Sequence, residues 1–178
     1  MKKFLKMFSL VFVLALSVFA FSACTKSKDS KEPVLSIGLE YTLINNDTEY
    51  ELSSIGTCKD AHIVIPSSYE GKPVISIGYE AFRNCYALTS ITIPNSVTSI
   101  EIRAFEDCIS LTSIVIESAT IANGIKDVYD YREIAYYAET VYIKTGLDTS
   151  NSSYLLVNFA KQETSDKTGY NMYVRNAE

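Results

Sequence analysis

The sequence predicts a short repeat solenoid, mostly β with short helical turns, closed by a cap at each end. Three observations carry that expectation. A segment, IGYEAFRNCYALTSITI from Ile77, recurs as IEIRAFEDCISLTSIVI from Ile100. The shared positions are apolar or small: Ile77/Ile100, Ala81/Ala104, Phe82/Phe105, Cys85/Cys108, Leu88/Leu111, Thr89/Thr112, Ser90/Ser113, Ile91/Ile114 and Ile93/Ile116. The exchanged ones are mostly polar, as in Glu80 for Arg103, Arg83 for Glu106 and Asn84 for Asp107. A repeat of 20–50 residues with spared apolar letters marks stacked coils sharing one core.

Each repeat contains a strand pattern. Ser90-Ile91-Thr92-Ile93 and Ser113-Ile114-Val115-Ile116 alternate, so the isoleucines face inward and the residues between them outward. Pro94 lacks an N–H and closes its strand. Val97-Thr98-Ser99-Ile100 is a second extended piece. Between it and the next strand, Ala104, Phe105, Cys108 and Leu111 follow helical spacing, which predicts a helical turn.

The register continues on both sides. Ile63-Val64-Ile65-Pro66 matches Ile91-Thr92-Ile93-Pro94 with a longer spacing, and SSYEGKPV, with Gly71 and Pro73, absorbs the difference as a widened turn. LEYTLINNDTEYEL reads as a hairpin around Asn45-Asn46-Asp47 that caps the first coil. Beyond Glu117 the repeat stops. Thr140-Val141-Tyr142-Ile143 resumes alternation as one further strand ended by Gly146. Tyr154, Leu155, Asn158 and Phe159 suit a short helix, and a last strand lies around Met172-Tyr173-Val174.

The N-terminus is set apart. Lys2, Lys3 and Lys6 precede the apolar run MFSLVFVLALSVFAF, the layout of an export signal and too short for an ordinary membrane span. Phe21-Ser22-Ala23-Cys24 then resembles the lipobox of bacterial lipoproteins, with Phe21 where leucine is usual. That resemblance implies cleavage before Cys24 and acyl chains on it, and stable anchoring takes two or more chains. TKSKDSKEP is a polar tether. The expected organisation is 1–23 signal peptide, 24–33 tether, 34–117 repeat region with its N-terminal cap, and 118–178 C-terminal cap.

The repeat unit resembles the BspA-like leucine-rich repeats of bacterial surface proteins, with their IGxxAFxxCxxLTSITIP pattern. The likeness spans Gly38 to Glu117, including GLEYTLIN and IPSSYEGKPV. Glu101 stands where the first repeat has Gly78 and the family usually has glycine. If that site requires positive φ, the second coil must turn differently there. The resemblance implies a surface-displayed module for adhesion or protein contact; a structural or accessory envelope lipoprotein within a larger surface complex is the alternative.

Composition narrows the function further. Loss of the three signal-peptide lysines takes the formal charge from −5 to −8, and no basic patch remains to engage nucleic acid. Catalysis is not expected. His62 is the only histidine, no G-x-S-x-G elbow or phosphate loop occurs, and no spacing singles out a carboxylate pair. Cofactors and metals are likewise not expected, since Cys58 and His62 alone do not make a zinc site.

Cys85 and Cys108 hold equivalent positions in adjacent coils, near disulfide distance, and read as two buried thiols. The candidate binding face is the outward set His62, Val64, Ser90, Thr92, Ser113, Val115, Thr140 and Tyr142, with Cys24 as the lipidation site. The partner expected is a protein or surface glycan, and the membrane is contacted through the lipid on Cys24. The expected location is the bacterial envelope, surface-exposed. Tyr129, Tyr131, Tyr136, Tyr137 and Tyr142 form a second candidate patch, because tyrosine is enriched at interfaces.

Overall fold

Alternating isoleucines at a fixed repeat leave the chain one economical way to bury them, and the computed structural model shows it: coils stacked so that like residues sit on like. The structure describes residues 35–123 and 137–177, all within the unit Pro33–Glu178. The expected signal peptide, tether and lipidation site Cys24 lie outside the described residues.

The chain enters through a hairpin, β1 (Glu40–Ile44) and β2 (Glu49–Ser54), paired antiparallel. Asn45, Asn46 and Asp47 at its tip all adopt positive φ, which asparagine and aspartate tolerate better than other side chains. β2 is more than a cap. It pairs in parallel with β5 (Lys72–Ile77), Leu52 beside Ile77, and so opens the first coil. That coil closes through β3 (His62–Val64). SSYEGKPV forms a tight hairpin of β4 (Ser68–Tyr69) and β5, turning on Glu70 and Gly71, both at positive φ. Positive φ at both central residues defines a type I′ turn, whose twist matches the strands it joins.

The second coil runs from β5 to β6 (Ser90–Ile93), and the third from β7 (Ser99–Ile100) to β8 (Ser113–Ile116). Two sheets result. One places β1, β2, β5 and β7 side by side, with β4 also on β5. The other is six-stranded, β10-β11-β9-β8-β6-β3. Its later members are β9 (Thr140–Lys144), parallel to β8, then β11 (Tyr170–Arg175) and β10 (Phe159–Lys161), both antiparallel. Two short helices, α1 (Ala119–Asn123) and α2 (Ser153–Asn158), cover the core at this end. Ser118 Oγ accepts from Ile121 N–H and donates to Val97 O, capping α1 and tying it to the third coil.

The stretches with helical spacing are not helices. Between β5 and β6 the bonds run Ala81 N–H to Gly78 O, Arg83 to Glu80, Cys85 to Phe82 and Leu88 to Cys85, a chain of three-residue turns. Glu80, Asn84, Arg103 and Asp107 sit at φ 56–60° and interrupt any helical path. The amides left over reach the next coil: Phe82 N–H donates to Ala104 O and Asn84 N–H to Glu106 O, both at 2.8 Å. The coil-to-coil ladder therefore continues through the turns.

Both coils use the same φ pattern, so Glu101 forces no different path. Gly78 is not at positive φ. A side chain there would instead meet the Glu51 carboxylate at 2.8 Å, and that carboxylate accepts the Ser76 hydroxyl proton at 3.1 Å. Glycine serves close approach at this position, and Glu101, one coil further on, is exposed.

The core lies between the two sheets. Ile63, Ile91, Ile114 and Val141 make one inward ladder, Ile65, Ile93, Ile116 and Ile143 the next, and all are buried. Phe82 and Phe105 stack with centroids 5.2 Å apart and planes 11° from parallel. Cys58, Cys85 and Cys108 are free thiols; Cys58 and Cys108 are buried and Cys85 is half-buried. Cys108 Sγ–H donates to Phe82 O at 3.0 Å, so this thiol is part of the coil-to-coil bonding.

Candidate interaction face

The outward residues of the six-stranded sheet fall into two continuous ladders. His62, Ser90, Ser113 and Thr140 are register partners in one, and Val64, Thr92, Val115 and Tyr142 in the other. Rungs of a parallel sheet lie about 4.8 Å apart, so the eight residues form one surface. β11 extends both ladders, adding Val174 beside Thr140 and Met172 beside Tyr142. Alternation on β9 alone could not reveal these two, because they join the face only through antiparallel pairing.

The ladders are unequally open. His62 is exposed, and Val64, Ser90, Thr92, Ser113, Thr140 and Tyr142 are half-buried. Val115 is 6 % exposed, which corrects its place in the predicted open face. Alternation places it on the outward side, between Thr92 and Tyr142 in the register, yet it is buried. Tyr142 is itself overlooked by the β10–β11 connection. Burial and the Asp166 carboxylate beside its hydroxyl push the phenol above its usual range. Near this end Tyr170, the partner of Lys144 on β9, donates its hydroxyl proton to Glu117, and Lys167 sits 5.0 Å over its ring. Burial and Glu117 push the Tyr170 phenol up to about 12.

At the opposite edge His62 Nδ1 lies 2.8 Å from Ser90 Oγ and 3.2 Å from Thr89 Oγ1, while Thr89 donates to Ala61 O. The imidazole is thus held in a hydroxyl cluster with no carboxylate partner in these bonds. Ser36 closes the free edge of β3: its N–H donates to Val64 O and its Oγ accepts from Val64 N–H. An edge strand left open invites pairing with another chain, and Ser36 removes that site at Val64. What remains accessible is a hydroxyl-rich, uncharged strip running from His62 through Ser90 and Ser113 to Thr140, with Val64 and Thr92 beside it.

Such a strip offers hydrogen-bond donors and acceptors at a regular spacing and a modest apolar margin. Its one imidazole, His62, bonds the hydroxyls of Ser90 and Thr89, and no carboxylate takes part in those bonds. Among the described residues no three of histidine, cysteine, aspartate and glutamate come together in a metal-binding group. Of the tyrosine patch, Tyr129, Tyr131 and Tyr136 lie outside the described residues, and Tyr137 and Tyr142 are half-buried.

The described turns bring together the polar residues exchanged between the repeats. Glu80, Arg83, Arg103 and Glu106 interlock across the second and third coils. Arg83 bonds Glu80 at 2.9 Å and Glu106 at 2.7 Å, and Arg103 approaches Glu80 at 3.7 Å and Glu106 at 3.9 Å. The sign swap between repeats is what sets every charge beside an opposite one.

A family model described as the BspA type leucine rich repeat region, of six copies, matches residues 42–149. The chain belongs to that family, and its fold is a mostly β leucine-rich-repeat solenoid. Similar solved structures include a Treponema pallidum leucine-rich-repeat protein at 20 % identity, covering 52 % of this chain and 56 % of that one, with a TM-score of 0.37. A Bacteroides ovatus leucine-rich-repeat protein is 27 % identical, and a leucine-rich cell surface protein of Faecalibacterium prausnitzii 32 %. Each of these two alignments covers 51 % of this chain and 24 % of the other, with a TM-score of 0.40. The chain therefore spans about half or less of the length of these neighbours. No curated protein matches.

Proposed function

We propose that the protein is a lipid-anchored surface protein of bacteria that presents the outward sheet face for contact with another protein or a surface glycan. The observation that carries this reading is the uncharged double ladder. Serine and threonine hydroxyls recur on it at strand spacing, flanked by Val64 and Thr92, and neither ladder carries an acidic or lysine or arginine side chain. The lipobox-like Phe21-Ser22-Ala23-Cys24 supports membrane attachment through Cys24, followed by the tether 24–33. Binding is the chemistry this reading assigns to the face.

The narrowness of the face favours a second reading, an accessory lipoprotein within a larger envelope complex. With Val115 buried and Tyr142 beside Asp166, the open strip falls well short of the roughly 20–30 residues per side of a standard interface. Contacts of that size become effective when many copies engage together on one membrane. Capture experiments separate the two readings. The lipidated protein, displayed on its membrane, is challenged with host-surface extract and with the producing cell's own envelope extract. Specific capture from the host side supports adhesion, and capture only of envelope components supports the accessory role.

A further inference from the structure

A second surface stands on the turns, away from the sheet face. Tyr79, Tyr86, Ile102 and Ile109 are each 56 % exposed. They are repeat equivalents: Tyr79 lies over Ile102 and Tyr86 over Ile109 in successive coils. Along each coil they flank the charged quartet, in the order Tyr79, Glu80, Arg83, Tyr86 and then Ile102, Arg103, Glu106, Ile109. Arg103 Nη1–H donates to the Tyr79 hydroxyl at 3.4 Å, which sets that ring at the quartet's margin.

Large apolar side chains exposed around a fixed polar centre are what a contact surface presents before its partner arrives. The charges say which partner fits. Their two rows read minus-plus and plus-minus, a checkerboard with no net charge. Consider a two-fold axis in the plane of contact, running along the coils between the second and the third. It exchanges the rows. Glu80 then meets Arg103 of the second copy, Arg83 meets Glu106, Tyr79 meets Ile102 and Tyr86 meets Ile109. Every charge faces its opposite and every apolar residue an apolar one. Isologous contacts require this self-complementarity, and few unrelated surfaces supply it.

We propose that this turn face pairs two copies of the chain. The pairing is independent of the sheet-face reading, since the two surfaces share no residue. The footprint is small, so the pair is weak when free and is strengthened when copies share a membrane.

Charge-swap capture tests it. Two differently tagged copies of the full chain are co-expressed and solubilised in mild detergent, and one tag is captured. In one variant Glu80→Arg and Glu106→Arg make the quartet all positive; in the other Arg83→Glu and Arg103→Glu make it all negative. Wild type should capture wild type. Positive with positive, and negative with negative, should fall at least tenfold, while positive with negative should recover. Equal capture in all combinations, or no recovery in the mixed one, would overturn the proposal.

A second variant guards against a quartet that is needed for folding. Tyr86→Ser with Ile109→Ser leaves all four charges and should lose capture tenfold with an unchanged melting temperature. Retained capture with a lowered melting temperature would assign the patch to the chain's own packing and overturn the pairing.

Discussion

Replacing Phe105 with alanine probes the stacking directly. The ring is 1 % exposed and lies flat against Phe82 of the preceding coil, with Cys108 and Leu111 buried in the same cluster. An aromatic side chain buries about 150–250 Å², and at about 25 cal/mol per Å² that is about 4–6 kcal/mol for the whole group. Alanine keeps part of it, while the vacated space strips contacts from one face of Phe82. Measured losses for such truncations are about 3–5 kcal/mol. Native domains are stable by about 5–15 kcal/mol, so one ring supports a substantial share of the total.

In a stack this short each coil depends on its immediate neighbours, and the loss should be felt throughout the unit. Urea unfolding followed by circular dichroism reads it. With a slope of about 2 kcal/mol per molar, the midpoint should fall by about 2 M. A shift below about 0.5 M would refute a shared core between coils two and three.

Three further outcomes follow from other parts of the chain. Cys24→Ala should move the protein from the membrane fraction to the soluble fraction, and unchanged detergent-phase partitioning would refute lipid attachment there. Stability should decline as pH rises from about 10 to about 12. Tyr41 and Tyr170 have phenols pushed up to about 12 in the fold, first by burial, against an ordinary value of 10.0. The folded state thus holds protons that the unfolded chain releases, and stability present below pH 10 drains away above it. Absorbance of tyrosinate against pH, alongside the melting temperature, checks this; two-phase titration with early loss of neither tyrosine is the expected form. Cys85 should react with a thiol reagent faster than Cys58 or Cys108. It is half-buried, and its bond with Cys108 lowers its pKa, whereas burial raises that of Cys58. Equal rates by mass spectrometry of labelled peptides would contradict this ordering.

Much of the fold was legible because apolar periodicity and parallel stacking report the same fact. Ile91 and Ile93 recur as Ile114 and Ile116, and the register pairs them residue for residue. The β1–β2 hairpin was written in Asn45-Asn46-Asp47. Other features were hidden for physical reasons. Ala104, Phe105, Cys108 and Leu111 have a spacing that successive tight turns share with a helix. The φ values of Glu80 and Arg103 that decide between them have no glycine to announce them. β2 went unread as a coil strand because the turn from Leu52 to Ile63 is shorter than its later counterparts, which breaks the repeat spacing. β10 exists through its pairing with β11, a long-range choice that Phe159-Ala160-Lys161 does not encode locally.

The candidate face was legible to the same depth. Alternation assigns a face, so all eight predicted residues share one surface. It says nothing of what lies over that face, and Val115 is buried although alternation counts it the equal of half-buried Thr92. The sign swap from Glu80 and Arg83 to Arg103 and Glu106 was visible, but its meaning waited on the stacking that brings the four together.

The sheet face is tested most directly by Thr92→Arg, with Val115→Arg as its structural counterpart. Thr92 is half-buried beside the open strip, whereas Val115 is buried, so an arginine at 115 should disturb folding. The measurement is binding of the captured partner to membrane-displayed wild type and Thr92→Arg, with melting temperatures taken in parallel. The expected result is a Thr92→Arg protein that melts like wild type and binds at least tenfold more weakly, because a desolvated arginine cannot be accommodated at the centre of a close contact. A folded Thr92→Arg protein that binds as well as wild type would contradict the assignment of function to this face.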